Sequence, residues 1–322
     1  MHTGIEDVRC GREPLIEAIT RFLARGHAAQ MPKVRSVVAR IIDEAAAGAI
    51  DELSERLSRS GTDWAYYPRD PLVRRIHREL APHVLRHEPV ISGGEHLERV
   101  TGRPVIVFAN HLSYSDANAI DVLLASSGAA SLCDRLTVVA GPKVYSNVAR
   151  RFSSLCFGTI KVAQSSGRSS DEAVMNPRDV ARAARRSIDM AHERLAKGDA
   201  LLIFPEGSRS RNGRMDRFLP AVARYLDAPD VWLLPVGIAG TEQLFPLASD
   251  WLRAVPVALH IGAPAPAIHL EQRAAGDRAM MTDAMGFAVA RLLPPEYRGV
   301  YGQDTAAELR TARELCSQVF PL

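Results

Sequence analysis

The chain holds 322 residues, 47% of them hydrophobic and 24% charged, which is ordinary for a globular protein and long enough for one large domain plus a smaller one. A formal charge of +3, with no basic run interleaved with aromatics, argues against nucleic acid as a partner. The longest nearly apolar runs, such as 231–240, hold about ten residues where a membrane-spanning helix needs ~20, so membrane contact is expected to be peripheral. Cys10, Cys133, Cys156 and Cys316 form no CxxC pair and no His/Cys cluster, which predicts neither a metal site nor a disulfide framework and fits a reducing compartment. Residues 1–14 include Glu6, Asp7 and Glu13 and no apolar segment, so no signal peptide is read there.

From 14 to about 86 the apolar residues recur at helical spacing. Leu15, Ile19, Phe22 and Leu23 share one face and Val34, Val37, Val38, Ile41 and Ile42 another; Leu53 with Leu57, then Leu72, Val73, Ile76 and Leu80, follow. This predicts a helical N-terminal region over 1–88. Its last helix, 71–86, carries Arg74, Arg75, His77, Arg78 and Arg86 beside its apolar stripe. Two readings stand: a basic amphipathic helix on an anionic membrane surface, or a helix packed on the following domain with solvated arginines. Pro82 is expected to interrupt it.

Beyond 88, strand patterns alternate with helical ones. A short strand and turn at 90–94 precede a buried strand at 104–109 and a helix at 117–124. Then come a strand at 136–140, a helix at 145–156, a strand at 159–163 and a Ser/Gly-rich loop at 164–176. The clearest helix is 177–197, opened by Pro177 and closed by Gly198. Strands at 200–204, 231–236 and 255–261 and helices at 277–292 and 305–319 complete an α/β layered domain over 89–322.

Two strand-to-turn junctions carry candidate chemistry. Asn110-His111-Leu112-Ser113-Tyr114-Ser115-Asp116 follows the first buried strand, and Ser113, Ser115 and Asp116 offer N-caps for the next helix. His111 has the one side chain whose proton exchanges near neutral pH, and Asp116 can reach back to its Nδ1 across the turn. Phe204-Pro205-Glu206-Gly207-Ser208-Arg209-Ser210 leaves a second buried strand, and ligands of open α/β sheets gather at the carboxyl ends of strands. Gly207 permits close backbone approach, while Glu206 and Arg209 offer a carboxylate and a guanidinium. Arg209, with Arg211, Arg214 and Arg217 around the Asn212-Gly213 turn, suits a phosphorylated substrate; the alternative for the last three is a solvated basic loop.

Asn110-His111 with Asp116 resembles the NHxxxxD block of the glycerolipid acyltransferases, which include lysophosphatidate and glycerol-3-phosphate acyltransferases. Phe204 to Ser210 is similar to their FPEGxRS block, in the same order and about ninety residues on. Gly158-Thr159-Ile160-Lys161-Val162 sits where the family has Gly-x-Ile-Phe-Ile, Leu234-Pro235-Val236 where it has an apolar run around a proline, and Lys143 resembles a basic residue before the second block. Two positions depart: Gln164 stands for the second block's Arg, with Lys161 and Arg168 as substitutes, and Phe218-Leu219-Pro220-Ala221 replaces Phe-Lys-x-Gly.

The resemblance implies a layered mixed sheet flanked by helices, and an O-acyltransferase with no bound cofactor or metal that uses acyl-CoA or acyl carrier protein as co-substrate. The implied acceptor is a lysophospholipid, 1-acylglycerol-3-phosphate first, with glycerol 3-phosphate or a lyso-aminolipid as alternatives. His111 and Asp116 would be catalytic, and Asn110, Lys143, Gly158, Lys161, Glu206, Gly207, Ser208, Arg209 and Pro235 substrate-binding. The expected location is cytoplasmic and peripheral to a membrane surface. No Gly-x-Ser-x-Gly elbow occurs, which counts against a serine acyl-enzyme. A thioesterase activating water with the same His, and a non-catalytic lipid-binding protein, are the rival classes.

Overall fold

Helix-forming stripes open the chain. Residues Arg12–Ala24 (α1), Met31–Asp43 (α2) and Ala49–Arg59 (α3) are helices that bury Leu15, Ile16 and Ile19, then Val34, Val38, Ile41 and Ile42, then Leu53 and Leu57. A two-residue strand, Tyr66–Tyr67 (β1), follows, and Pro71–Val84 is helix α4. Asp70 caps α4 by accepting hydrogen bonds from the Leu72 and Val73 amides, each at 3.0 Å. Pro82 does not break the helix: it sits in the final turn, where its missing N–H removes one hydrogen bond and leaves no helix downstream to kink. The computed structural model describes residues 11–24, 28–59, 61, 63–85, 88–146, 148–163, 177–244, 255–302 and 306–321. The loop at 164–176, with Gln164 and Arg168, lies outside them, as do Cys10 and Arg86.

The rest of the described chain is α/β. In order come Val90–Ser92 (β2), Val105–Ala109 (β3), Asp116–Leu124 (α5), Ala130–Cys133 (α6), Leu136–Ala140 (β4), Val148–Ser154 (α7), Gly158–Lys161 (β5), Pro177–Ala196 (α8) and Ala200–Ile203 (β6). Then follow a 3-10 segment at Pro220–Asp227, Trp232–Ala239 (β7), Thr241–Leu244 (α9), Ala258–Ile261 (β8), Ala265–Pro266 (β9), Ala267–Ala274 (α10), Arg278–Ala290 (α11) and Arg310–Val319 (α12). The strands form one mixed sheet in the order β1-β5-β4-β6-β3-β7-β8-β2, with β9 on β7. Its centre is parallel: β3 runs between β6 and β7, in register Phe108 with Ile203 and with Pro235. Buried on both faces, β3 is apolar throughout. Val105, Val107 and Ala109 join the core under α1 to α5, and Ile106 and Phe108 join the one under α8, α11 and α12.

The division at 88 cuts the sequence but not the packing. β1 pairs antiparallel with β5, Tyr66 opposite Ile160, and the apolar faces of α1 to α4 lie in the same core as β3, β4 and α5. The basic face of α4 is paired rather than free. Arg74 is buried on Asp121 at 2.7 Å, with His77 on the same carboxylate at 3.0 Å. Arg75 pairs with Glu44 and Glu79, and Arg78 with Asp134. Of the two readings of this helix, packing on the α/β layer is the one observed, and Arg74, Arg75 and Arg78 are ion-paired. No helix among the described residues is long and apolar enough to cross a membrane.

Candidate active site

Because β3 and β6 are parallel neighbours, the turns that leave them emerge side by side. Backbone and carboxylate bonds join the two turns. The His111 amide donates to Glu206 Oε1 at 2.8 Å, the Ser210 amide to the His111 carbonyl at 2.7 Å, and the Asp216 amide to Glu206 Oε2 at 2.8 Å. Glu206 is 1% exposed, so burial pushes its carboxyl up to about 8, against the opposing pull of the two backbone donors. Its position makes it the tie between the turns. Asn110, fully buried, anchors the first turn to the next strand: its side chain donates to the Ile238 carbonyl at 2.8 Å and accepts from the Ile238 amide at 2.9 Å.

His111 and Asp116 form the expected pair. Nδ1 lies 2.8 Å from Asp116 Oδ2, and the ring stacks on Phe204 with centroids 4.4 Å apart. Asp116 is wholly buried, and Oδ2 also accepts from the Leu112 and Ser113 amides at 2.7 and 2.9 Å, while Oδ1 accepts from the Thr241 hydroxyl at 2.5 Å. The capping expectation therefore needs correcting. Ser115 occupies the N-cap of α5 without a side-chain cap bond, and the Asp116 carboxylate turns back onto the preceding loop. An acceptor so supplied with donors favours Nδ1 protonated, which leaves Nε2 of His111 with its lone pair.

A cavity of about 900 Å³ opens at this edge of the sheet, lined by His111, Tyr114, Lys143, Gly207, Ser208 and Arg209. The guanidinium carbons of Arg209 and Arg150 lie 4.2 and 4.1 Å from the Tyr114 ring centroid. Burial pushes Arg209 below its ordinary value, and the like charge of Arg150 acts in the same direction. Such a pair of cations at a cavity wall is an electrostatic acceptor for an anion. Arg211 also lines the cavity, whereas Arg217 is held by Asp283 at 2.6 Å and Arg214 reaches the Glu296 carbonyl.

Other sequence-derived candidates are placed elsewhere. Lys161 sits with Nζ 4.7 Å from the Trp64 ring and 5.5 Å from Tyr145, donating to the Gly61 carbonyl, so it ties β5 to the N-terminal segment. Gly158 is buried where β5 meets β1 and β4; a Cβ there would come 2.4 Å from Thr137 Oγ1 and 2.7 Å from the Tyr66 hydroxyl. Pro235 is buried in β7 opposite Phe108. Neither Asn110, Gly158, Lys161, Glu206 nor Pro235 lines the cavity. Four residues that bear on the site are not among the expected site residues: Phe204 beneath the imidazole and Tyr114, both inside the motif stretches, and Arg150 and Thr241 outside them. Of the last two, Thr241 had a local signal available, a Gly-Thr pair ending an apolar run. Gly240 turns the chain at φ +88°, with a Cβ excluded by the Pro256 carbonyl at 2.2 Å, and so delivers Thr241 to Asp116.

No curated protein shows significant similarity to the chain. Among solved structures it is similar to the 1-acyl-sn-glycerophosphate (LPA) acyltransferase PlsC from Thermotoga maritima, with 20% identity over 80% of this chain and 88% of that one and a TM-score of 0.43. The Acyltransferase family model matches residues 89–239, the segment that runs from β2 through both motif turns to the end of β7. The matched segment contains the paired His111 and Asp116 and the adjoining 204–210 turn.

Proposed function

We propose that the protein transfers a fatty acyl group from a thioester, carried by coenzyme A or acyl carrier protein, to the hydroxyl of a phosphorylated monoacylglycerol, 1-acylglycerol-3-phosphate, at a membrane surface on the cytoplasmic side. The supporting observation is the juxtaposition of the His111–Asp116 pair with two guanidiniums at one largely apolar cavity. His111 Nε2 takes the proton of the acceptor hydroxyl as its oxygen attacks the thioester carbonyl. Asp116 holds the ring and offsets the imidazolium charge, and the departing thiolate recovers the proton from Nε2. Arg209, Arg150 and Lys143 hold the phosphate so that the hydroxyl meets the base, and the apolar walls take the acyl chain.

His111→Ala is expected to abolish acyl transfer while far-UV circular dichroism stays unchanged; retained turnover would sink the base assignment. Arg209→Ala is expected to raise the KM for the phosphorylated acceptor by about tenfold or more, the worth of a charge-assisted contact, with the donor KM little moved. Thiol release that proceeds at full rate without an acceptor would favour the thioesterase reading over transfer.

A further inference from the structure

The cavity that opens at His111 runs across the edge of the sheet, from Phe22 and Phe152 at the core under the N-terminal helices to Ile188 and Ile203 at the opposite one. Its lining includes two polar side chains that acyl transfer does not use, His77 of α4 and Asn118 of α5. Helix α5 positions both. His77 Nε2 lies 3.0 Å from Asp121 Oδ2, and Asn118, three residues before Asp121, shares its side of the helix. Asn118 Nδ2 donates to Cys156 Sγ at 3.1 Å and to the Ser153 carbonyl at 3.4 Å, and Phe157, next in the chain, meets the His77 ring edge-on at 5.8 Å. The same helix opens with Asp116, the partner of the catalytic imidazole. Two histidines of one cavity are thus each held by a carboxylate of α5, and the carboxylates are about 7.5 Å apart along the axis.

The bonds these side chains already make fix what they still offer. Nε2 of His77 faces a carboxylate and so donates to it. Arg74, 2.7 Å from that carboxylate, balances its charge, so a neutral imidazole suffices and Nδ1 keeps its lone pair. Asn118 commits Nδ2 and keeps Oδ1. Neither Nδ1 nor Oδ1 has a hydrogen-bond partner among the described residues, and the His77 side chain is only 8% exposed. Around them the cavity wall is Val73, Ile76, Leu80 and Phe157. A plain methylene chain lying there would cover both acceptors and satisfy neither. A keto oxygen only accepts and offers them nothing. A hydroxyl supplies the missing donor.

We infer that the acyl chain transferred by this protein carries a hydroxyl group, whose O–H donates to His77 Nδ1 with Asn118 Oδ1 as the neighbouring acceptor. This rests on the acyl-transfer reading above and deepens it by naming the class of donor, a hydroxyacyl thioester. An apolar wall alone discriminates weakly between chains, whereas buried acceptors left unpaired penalise the chain that lacks the hydroxyl.

Steady-state thiol release by the full chain tests this, with and without 1-acylglycerol 3-phosphate. The donors are coenzyme A thioesters of one chain length: the saturated chain, chains hydroxylated at successive carbons, and their keto counterparts. The wild type is expected to favour the chain hydroxylated at one position over the saturated one by about tenfold or more in kcat/KM, with no such gain for the ketone. His77→Phe keeps a ring beside Phe157 and removes Nδ1, and the hydroxylated-to-saturated ratio is expected to fall toward one. Asn118→Leu leaves the Asp121 cluster intact, is expected to lower the same ratio, and serves if the first variant does not fold. The inference is overturned if the wild type uses the saturated chain as well as every hydroxylated one, if the ketone matches the alcohol, or if both variants keep the wild-type ratio. Hydroxyl preference in a thiol release that no acceptor accelerates supports the hydroxyl site and overturns the transfer reading. Acceptor-dependent release that is blind to the hydroxyl does the reverse.

Discussion

At the scale of single residues, the base is set by what surrounds its partner. Asp116 draws on three protein donors besides the imidazole, and the hydroxyl of Thr241 is the one that comes from outside the motif. Thr241→Val should leave a buried carboxylate oxygen short of a donor, costing about 1–3 kcal/mol of stability. It should also lower kcat and displace its pH profile while KM stays near the wild-type value, with Thr241→Ser restoring both; a variant that loses stability but keeps the wild-type profile would mean a purely structural hydroxyl. Glu206 makes a separate prediction. Its folded carboxyl is raised to about 8 from an ordinary 4.5, so the folded chain holds this proton more tightly than the unfolded one. The stability contributed is complete below about 4.5 and is lost as pH rises through about 8. Urea titrations across that window should show Glu206→Gln lacking this slope. At the acid end of the window the variant should be less stable by about 1–3 kcal/mol, because an amide N–H would face the His111 or Asp216 amide, and the deficit should shrink as pH rises.

At the scale of elements, α4 shows why an amphipathic pattern does not name the surface it packs on. Leu72, Val73, Ile76 and Leu80 read equally well as a membrane face, and they are buried against α2 and α5. The arginines settle the matter through partners far away in sequence. Asp121, on α5, is disfavoured as an anion by burial, but His77 and Arg74 outweigh that and hold its carboxyl below the ordinary range. Removing it should therefore be severe: Asp121→Ala leaves the buried Arg74 only its longer contact with the half-exposed Asp134, at 3.5 Å, and should cost up to about 3–5 kcal/mol. Arg75→Ala, on the exposed flank, should cost under about 1 kcal/mol. Chemical denaturation of the two variants checks the contrast, and equal losses would contradict it. The helix boundaries also show what periodicity resolves. The strand at Leu136–Ala140 and the helix at Pro177–Ala196 are where the pattern puts them, because buried strands and long amphipathic helices carry repeated signal. β1, the α10 helix and the 220–227 segment were not legible: two strand residues have no period, and a short helix after a proline looks like a turn.

At the scale of the whole molecule, the N-terminal helices and the α/β layer share one core and one sheet. A chain beginning at residue 89 would expose the faces of β3, β4 and α5 that α1 to α4 cover and would leave β5 as an open edge. It is expected to be insoluble or molten on expression; a cooperatively melting 89–322 fragment would show the division at 88 to be a true domain boundary. The two motif turns were readable from residue types alone, since a buried strand followed by His and Asp, or by Glu-Gly-x-Arg, encodes its chemistry in a local stretch. Their joining was not. Parallel pairing of β3 with β6 brings residues about ninety apart within 2.8 Å and makes Glu206 a support of the site; pairing of β3 with β7 does the same for Asn110 through Ile238, and Lys161, on β5, lies toward Gly61 and Trp64. By itself the sequence determined the strand–turn junctions and the α/β class. Only the tertiary structure decided which side chains face the cavity, how Asp116 is held, and that the cavity reaches both faces of the sheet. The physical reason is that these depend on contacts between segments far apart in the chain, which local propensity does not encode.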